Sequence, residues 1–205
     1  MVQMGYGTYA KCVRVTPNNT LNRSPVSVSV GQHGNRSVSQ DRPAKLVELA
    51  QTLAAENPEF QAVLGPGVGD KATGEFMRKL RELASAYFGN DYSEKKICGA
   101  NSFAVDFYFP EEKTIVEVAL GLTNPATEFE KDVLKAIMAQ ETGQQVTTLV
   151  FISRPGAAKK CSQPGRSAVK AWAIAKHGLA IEVHDLHGEP RMRKRRSKNS
   201  PALSV

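Results

Sequence analysis

Cysteine is scarce. Cys12, Cys98 and Cys161 are the only three in 205 residues, widely scattered and odd in number. That argues against a disulfide framework and fits a reducing compartment. No two stand at CxxC spacing, so the commonest zinc-site signature is missing. The sequence also has no run of about 18 apolar residues, which argues against a transmembrane helix. Residues 1–10 contain no basic segment followed by an apolar stretch, so no secretory signal is expected. The expected compartment is the cytoplasm, with no membrane partner.

What is present describes an ordinary globular domain. Hydrophobic residues make up 41% and charged residues 23%, and the length suffices for one sizeable core. The net charge of +7 is unevenly placed: Arg191, Arg193, Lys194, Arg195, Arg196 and Lys198 carry six of those charges, leaving +1 for everything else. Such a basic segment can hold phosphate backbones without reading sequence, and is equally what a solvated terminus looks like. Residues 1–40 alternate Asn, Ser, Gly, Thr and Val without a sustained apolar period and read as poorly ordered. Three regions follow: a poorly ordered 1–40, a folded domain over 41–188 and a basic, disordered 189–205.

Within the folded region Asp41 is a helix N-cap with Pro43 just inside, and Leu46, Leu49, Ala50 and Leu53 form the apolar stripe. Asn57-Pro58 ends that helix. The loop Gly65-Pro66-Gly67-Val68-Gly69 invites a phosphate-loop reading but is followed by Asp70-Lys71-Ala72, where Gly-Lys-Ser/Thr is needed, so it reads as a connector. A second helix is predicted over 73–88. Strands are predicted over 102–109 and 114–120, joined by Pro110-Glu111-Glu112-Lys113 as an antiparallel hairpin. A helix over 125–141, a strand over 146–153, a helix over 166–176 and a strand over 179–183 complete the order. Late strands alternating with helices imply parallel crossovers. The expected fold is therefore α/β, a central mixed β-sheet flanked by helices in three layers.

Two charges interrupt the hairpin's apolar strands. Asp106 lies between Val105 and Phe107, and Glu117 between Val116 and Val118. Burying a carboxylate is costly, and two side by side repel unless a proton or cation lies between them. A four-residue turn lets both share one face, where Mg²⁺ or Mn²⁺ would supply that cation. The competing reading, two carboxylates on a wet strand face, needs no ligand.

Asp106, ten residues, then Glu117-Val118-Ala119 resembles the metal-binding hairpin of the PD-(D/E)XK nucleases, and the elements over about 73–184 resemble that family's restriction-endonuclease-like core. The resemblance implies Mg²⁺- or Mn²⁺-dependent hydrolysis of phosphodiester bonds, with DNA as the expected substrate. It implies metal ligation by Asp106, Glu117 and the main-chain carbonyl of Val118. Two positions depart from the family: Val105 stands where Pro is frequent, and Ala119 where the family has the Lys that orients or deprotonates the attacking water. The next helix offers substitutes, Lys131 or Lys135 for the cation and Glu128 for a further acidic group. The expected catalytic set is Asp106, Glu117, Glu128 and Lys131. Glu128, Lys131 and Lys135 are expected on one helical face, away from Phe129 and Val133.

Arg154, Lys159, Lys160 and Arg166 make the loop after the 146–153 strand basic, as phosphate contacts would require, and also as a solvated connector would be. Trp172 reads as core. His184 and His187 lack a third ligand at diagnostic spacing. Paired cleavage of a duplex would favour a homodimer. The alternative to an enzyme is a nuclease-fold module, inactive for want of the lysine, that binds nucleic acid or a protein partner.

Overall fold

The computed structural model describes residues 41–61, 68–122 and 128–188. The expectations for 1–40, 189–205, the Gly/Pro loop up to residue 67 and the start of the 125–141 helix lie outside these residues.

Asp41 caps α1 (Arg42–Glu56) by accepting a hydrogen bond from the Ala44 N–H at 3.1 Å. Asn57 ends it, and a 3₁₀ turn (Pro58–Gln61) follows. α2 (Val68–Phe88) starts five residues before the predicted 73. Five strands and three more helices come next: β1 (Ser93–Lys95), β2 (Val105–Phe109), β3 (Thr114–Val118), α3 (Glu128–Glu141), β4 (Thr148–Ser153), α4 (Ala157–Cys161), α5 (Pro164–His177) and β5 (Ala180–Asp185). They form one sheet in the order β1-β2-β3-β4-β5. β1–β2 and β2–β3 are antiparallel, while β3–β4 and β4–β5 are parallel. The fold is thus α/β, a five-stranded mixed sheet flanked by helices, with the hairpin and the two parallel crossovers where the sequence pattern put them.

Two hydrophobic layers sandwich the sheet. On one face Phe107, Phe109, Val116, Val150 and Ile152 pack against Leu46, Ala50 and Leu53 of α1 and Phe76 and Leu80 of α2. On the other Ile115, Ala119, Leu149 and Phe151 pack against Phe129, Val133 and Ala136 of α3 and Ala173 of α5. Each of these large apolar side chains contributes about 1.5–3 kcal/mol by leaving water. The turn of the hairpin is clamped to α1: Arg42 pairs with Glu112 at 2.6 Å, contacts Glu111 and the Tyr92 hydroxyl, and lies over the Tyr92 ring.

Three expectations need correction. Residues 102–104 precede the strand instead of belonging to it. α4 and β1 had no counterpart in the sequence pattern. Trp172 is not core: it is 47% exposed, because among the described residues β5 is an edge strand and α5 buries only Ala173.

Candidate functional site

The register Phe107↔Val116, Tyr108↔Ile115, Phe109↔Thr114 places Asp106 opposite Glu117 on neighbouring strands. The two carboxylates therefore share one sheet face, as their spacing predicted. The side chain of each reaches the other's strand. Asp106 Oδ2 accepts from the Val118 N–H at 2.8 Å, and Glu117 Oε2 lies 3.4 Å from the Asp106 N–H. An extended residue turns its N–H and C=O the same way, so the Val118 carbonyl is turned toward the β2 side as well.

The third component comes from α3. Lys135 Nζ lies 2.7 Å from Glu117 Oε1 and 2.9 Å from Asp132 Oδ1, and donates to the Ala104 carbonyl at 3.1 Å. Glu117 is 2% exposed, Asp132 4% and Lys135 7%, so the cluster is shut off from bulk water. Glu117 Oε1 and Asp132 Oδ1 have no well-aligned donor; the Lys135 ammonium is the nearer cation to each, and Lys131 stands 4.0 Å from Asp132 Oδ1.

Charge explains the electrostatics. Burial, then the Asp106 and Asp132 carboxylates, push the Glu117 carboxyl well above its usual range. Burial raises Asp132 too. Burial alone would lower Lys135, but Glu117 and then Asp132 overcome it and hold the ammonium above the ordinary lysine range. These shifts have one origin. Burial acts on all three groups, and Glu117 and Asp132 share one ammonium, so the cation is held tightly while the most buried carboxylate resists ionising.

The lysine that reaches the hairpin is Lys135, not Lys131. The helix turns about 100° per residue, so Lys131 lies about 40° further round than Lys135. That rotation leaves Lys131 in solvent, 53% exposed and 4.0 Å from Asp132. The expectation that Lys135 points away from the apolar stripe is overturned: it is buried with Phe129, Asp132, Val133, Ala136 and Ala139. Glu128 does not join the cluster either. Its Oε2 accepts from the Gly121 N–H at 3.1 Å, bracing the loop that follows Glu117. A Cβ at residue 121 would stand 2.6 Å from that oxygen, so the glycine is what admits the contact. Asp132 was missed. Its signal was present as an Asp/Lys pair at i, i+3 bordering the apolar stripe, where surface charges do not belong.

Ala119, where the resemblance to the nuclease family implies a lysine, is packed in the α3-side layer, and its carbonyl accepts from Ser153 Oγ at 2.6 Å. The basic residues after β4 divide. Lys159 and Lys160 occupy α4, Lys159 exposed and Lys160 partly so. Arg154 is half-buried with its guanidinium over the Phe60 ring at 5.4 Å. Arg166 donates to the Leu122 carbonyl at 2.5 Å and lies over Phe129 at 5.2 Å. Two of the four expected phosphate contacts are therefore taken up by packing.

The donor set suits a hard divalent cation: two facing carboxylates, a main-chain carbonyl turned to the same side, and negative charge in excess of the ammonium. Such ions commonly take one or two carboxylates and complete their shell with water. Among the described residues, no three His, Cys, Asp or Glu side chains form a metal-holding group by themselves. No helix among the described residues is long and apolar enough to cross a membrane. No family model matches the chain, and neither a curated protein nor a solved structure matches it.

Proposed function

We propose that this chain is a metal-dependent nuclease with a restriction-endonuclease-like core, hydrolysing phosphodiester bonds in nucleic acid, DNA first among candidates. The observation that carries the reading is the placement of Asp106 opposite Glu117 with a buried ammonium, Lys135, 2.7 Å from Glu117. A helix, an antiparallel strand meander, then helix, strand, helix, strand supports the nuclease-core reading.

Asp106, Glu117 and the Val118 carbonyl would hold Mg²⁺ or Mn²⁺, which supplies Lewis-acid polarisation of a phosphoryl oxygen and a bound water of lowered pKa. Lys135 does what the absent lysine at 119 would do: its ammonium orients the attacking water and offsets charge gathering on the phosphoryl oxygens. Asp132 is a positioning residue, fixing Lys135 from one helical turn away. Lys159 and Lys160 follow β4, at the end of the sheet that carries Glu117, and meet the substrate's phosphates.

One observation favours the non-catalytic alternative. The ammonium is surrounded by Glu117, Asp132 and the Ala104 carbonyl, as in a purely structural ion cluster. Incubating the purified chain with Mg²⁺ or Mn²⁺ and plasmid, single-stranded DNA or RNA separates the two. The nuclease reading expects metal-dependent cleavage that vanishes in Asp106→Ala and Glu117→Ala. Absence of cleavage on every substrate, with no metal-induced rise in Tm, leaves the binding module.

A further inference from the structure

The two edges of the sheet are unlike. β1 is three residues long, contains Glu94 at φ 49°, and ends in Lys95, with Lys96 next; short length, a left-handed kink and lysine are devices that blunt an edge. β5 has none of these. It runs for six residues, Ala-Ile-Glu-Val-His-Asp, without proline or lysine, and no described strand pairs with its outer side.

The backbone of β5 sets which groups face outward. The Ala180 N–H donates to Thr147 O at 2.9 Å and the Leu186 N–H to Ser153 O at 2.7 Å, so the even-numbered residues face β4. Alternation then turns the N–H and C=O of Ile181, Val183 and Asp185 outward. Among these, the Asp185 carbonyl is met by Gln51 Nε2 at 3.4 Å.

We propose that this edge is a homodimer interface, in which β5 pairs antiparallel with β5 of a second copy about a two-fold axis at Val183. The occupant is a second copy because the edge is self-complementary in that register. Val183 faces its own equivalent as a hydrogen-bonded pair, and Ile181 faces the other copy's Asp185 in the same way. Glu182 then stands opposite the other copy's His184, twice over, in the non-hydrogen-bonded positions where facing side chains approach most closely. Within one chain Glu182 and His184 already share a face, with Nε2 and Oε2 3.3 Å apart. They line a groove of about 890 Å³ beside α1, which leaves room for a partner's side chains. α5, which packs on β5, adds exposed Trp172 and Ile174 on either flank of its buried residue Ala173. Joining the two sheets makes one ten-stranded sheet with only the blunted β1 edges outermost, and isologous pairing closes without further growth.

Sedimentation velocity of the full chain, from about 1 to about 200 µM, tests this. Dimers are expected at the upper end. Val183→Pro removes an outward donor while leaving the β4 ladder intact, and should weaken association at least ten-fold with far-UV dichroism and Tm near wild type. Glu182→Lys and His184→Glu should each weaken self-association, since they set Lys against His and Glu against Glu. Mixing these two variants should restore dimers, because one facing pair then sets the introduced lysine against the introduced glutamate and the other is the original Glu182–His184 pair. A wild-type chain that stays monomeric at about 200 µM overturns the proposal, as do dimers indifferent to all three substitutions or a mixture that fails to reassociate. A monomer whose β5 amides resist hydrogen exchange would assign the edge instead to another segment of the same chain.

Discussion

Lys135 Nζ stands 2.7 Å from Glu117 Oε1, binding α3 to strand β3 through one buried charge. The pair is not balanced, since Asp132 and Asp106 bring two more carboxylates. A structural ion pair gains nothing from that surplus, whereas a site awaiting a divalent cation needs it. Removing the cation is the direct probe. Lys135→Met should destabilise the fold by about 3 kcal/mol above about pH 9, where Glu117 is ionised and would be left buried without a counter-ion. Adding Glu117→Gln to Lys135→Met should recover much of that loss, which urea unfolding of the two variants will read.

Stability should also fall with rising pH. Burial, reinforced by Asp106 and Asp132, pushes the Glu117 carboxyl from the usual 4.5 up to about 9. The native state therefore holds a proton that the unfolded chain has released. The stabilisation is fully present below the unfolded-state value and is lost as pH climbs through the folded-state value. Tm should drop between about pH 5 and pH 9, and Glu117→Gln should flatten the profile. Mg²⁺ should raise Tm more at pH 8 than at pH 5, since it binds the ionised carboxylate. A flat wild-type profile would show that the cluster is not proton-linked.

The hairpin and its two carboxylates were legible because charge inside an apolar strand is costly, and a four-residue turn leaves few registers. The parallel half was legible because βα alternation has few topologies. Other elements depend on distant partners and leave no local trace. α4 is five residues long, and the Asp185 carboxylate, far along the chain, accepts from its Gly156 and Ala158 N–H groups at 2.9 Å each. β1 is polar and carries a left-handed Glu94. The choice between Lys131 and Lys135 turned on how wide an arc of α3 is buried. Helical periodicity gives the direction of that arc but not its width, which β2 and β3 set by covering Lys135.

That difference gives a kinetic prediction. Lys131→Met should cleave within about two-fold of wild type, while Lys135→Met should lose about 10²-fold or more in rate, the usual scale for a positioned electrostatic group. The measurement is initial cleavage rate at saturating Mg²⁺, with circular dichroism to confirm that Lys135→Met is folded. Equal losses in both variants would reject Lys135 as the replacement for the missing lysine.

The basic residues near α4 should also separate by role. Arg166 is committed to the Leu122 carbonyl, to Cys161 Sγ and to the face of Phe129. Arg166→Ala should therefore cost about 1–3 kcal/mol in stability, since a buried carbonyl loses its charged donor and a ring its stacked cation. It should leave the salt dependence of nucleic-acid binding unchanged. Lys159 and Lys160 are the reverse case. They lie on a short helix, Lys159 exposed and Lys160 partly so, and form no ion pair among the described residues, so their substitution should barely move Tm. Each ammonium that neutralises a phosphate contributes about one unit to the slope of log K against log salt. Lys159→Ala/Lys160→Ala should thus lower that slope by up to about 2, measured on a Glu117→Ala background so that cleavage does not intervene. A slope that falls with Arg166→Ala and not with the lysine pair would reverse the assignment and place the nucleic acid against the loop after β3.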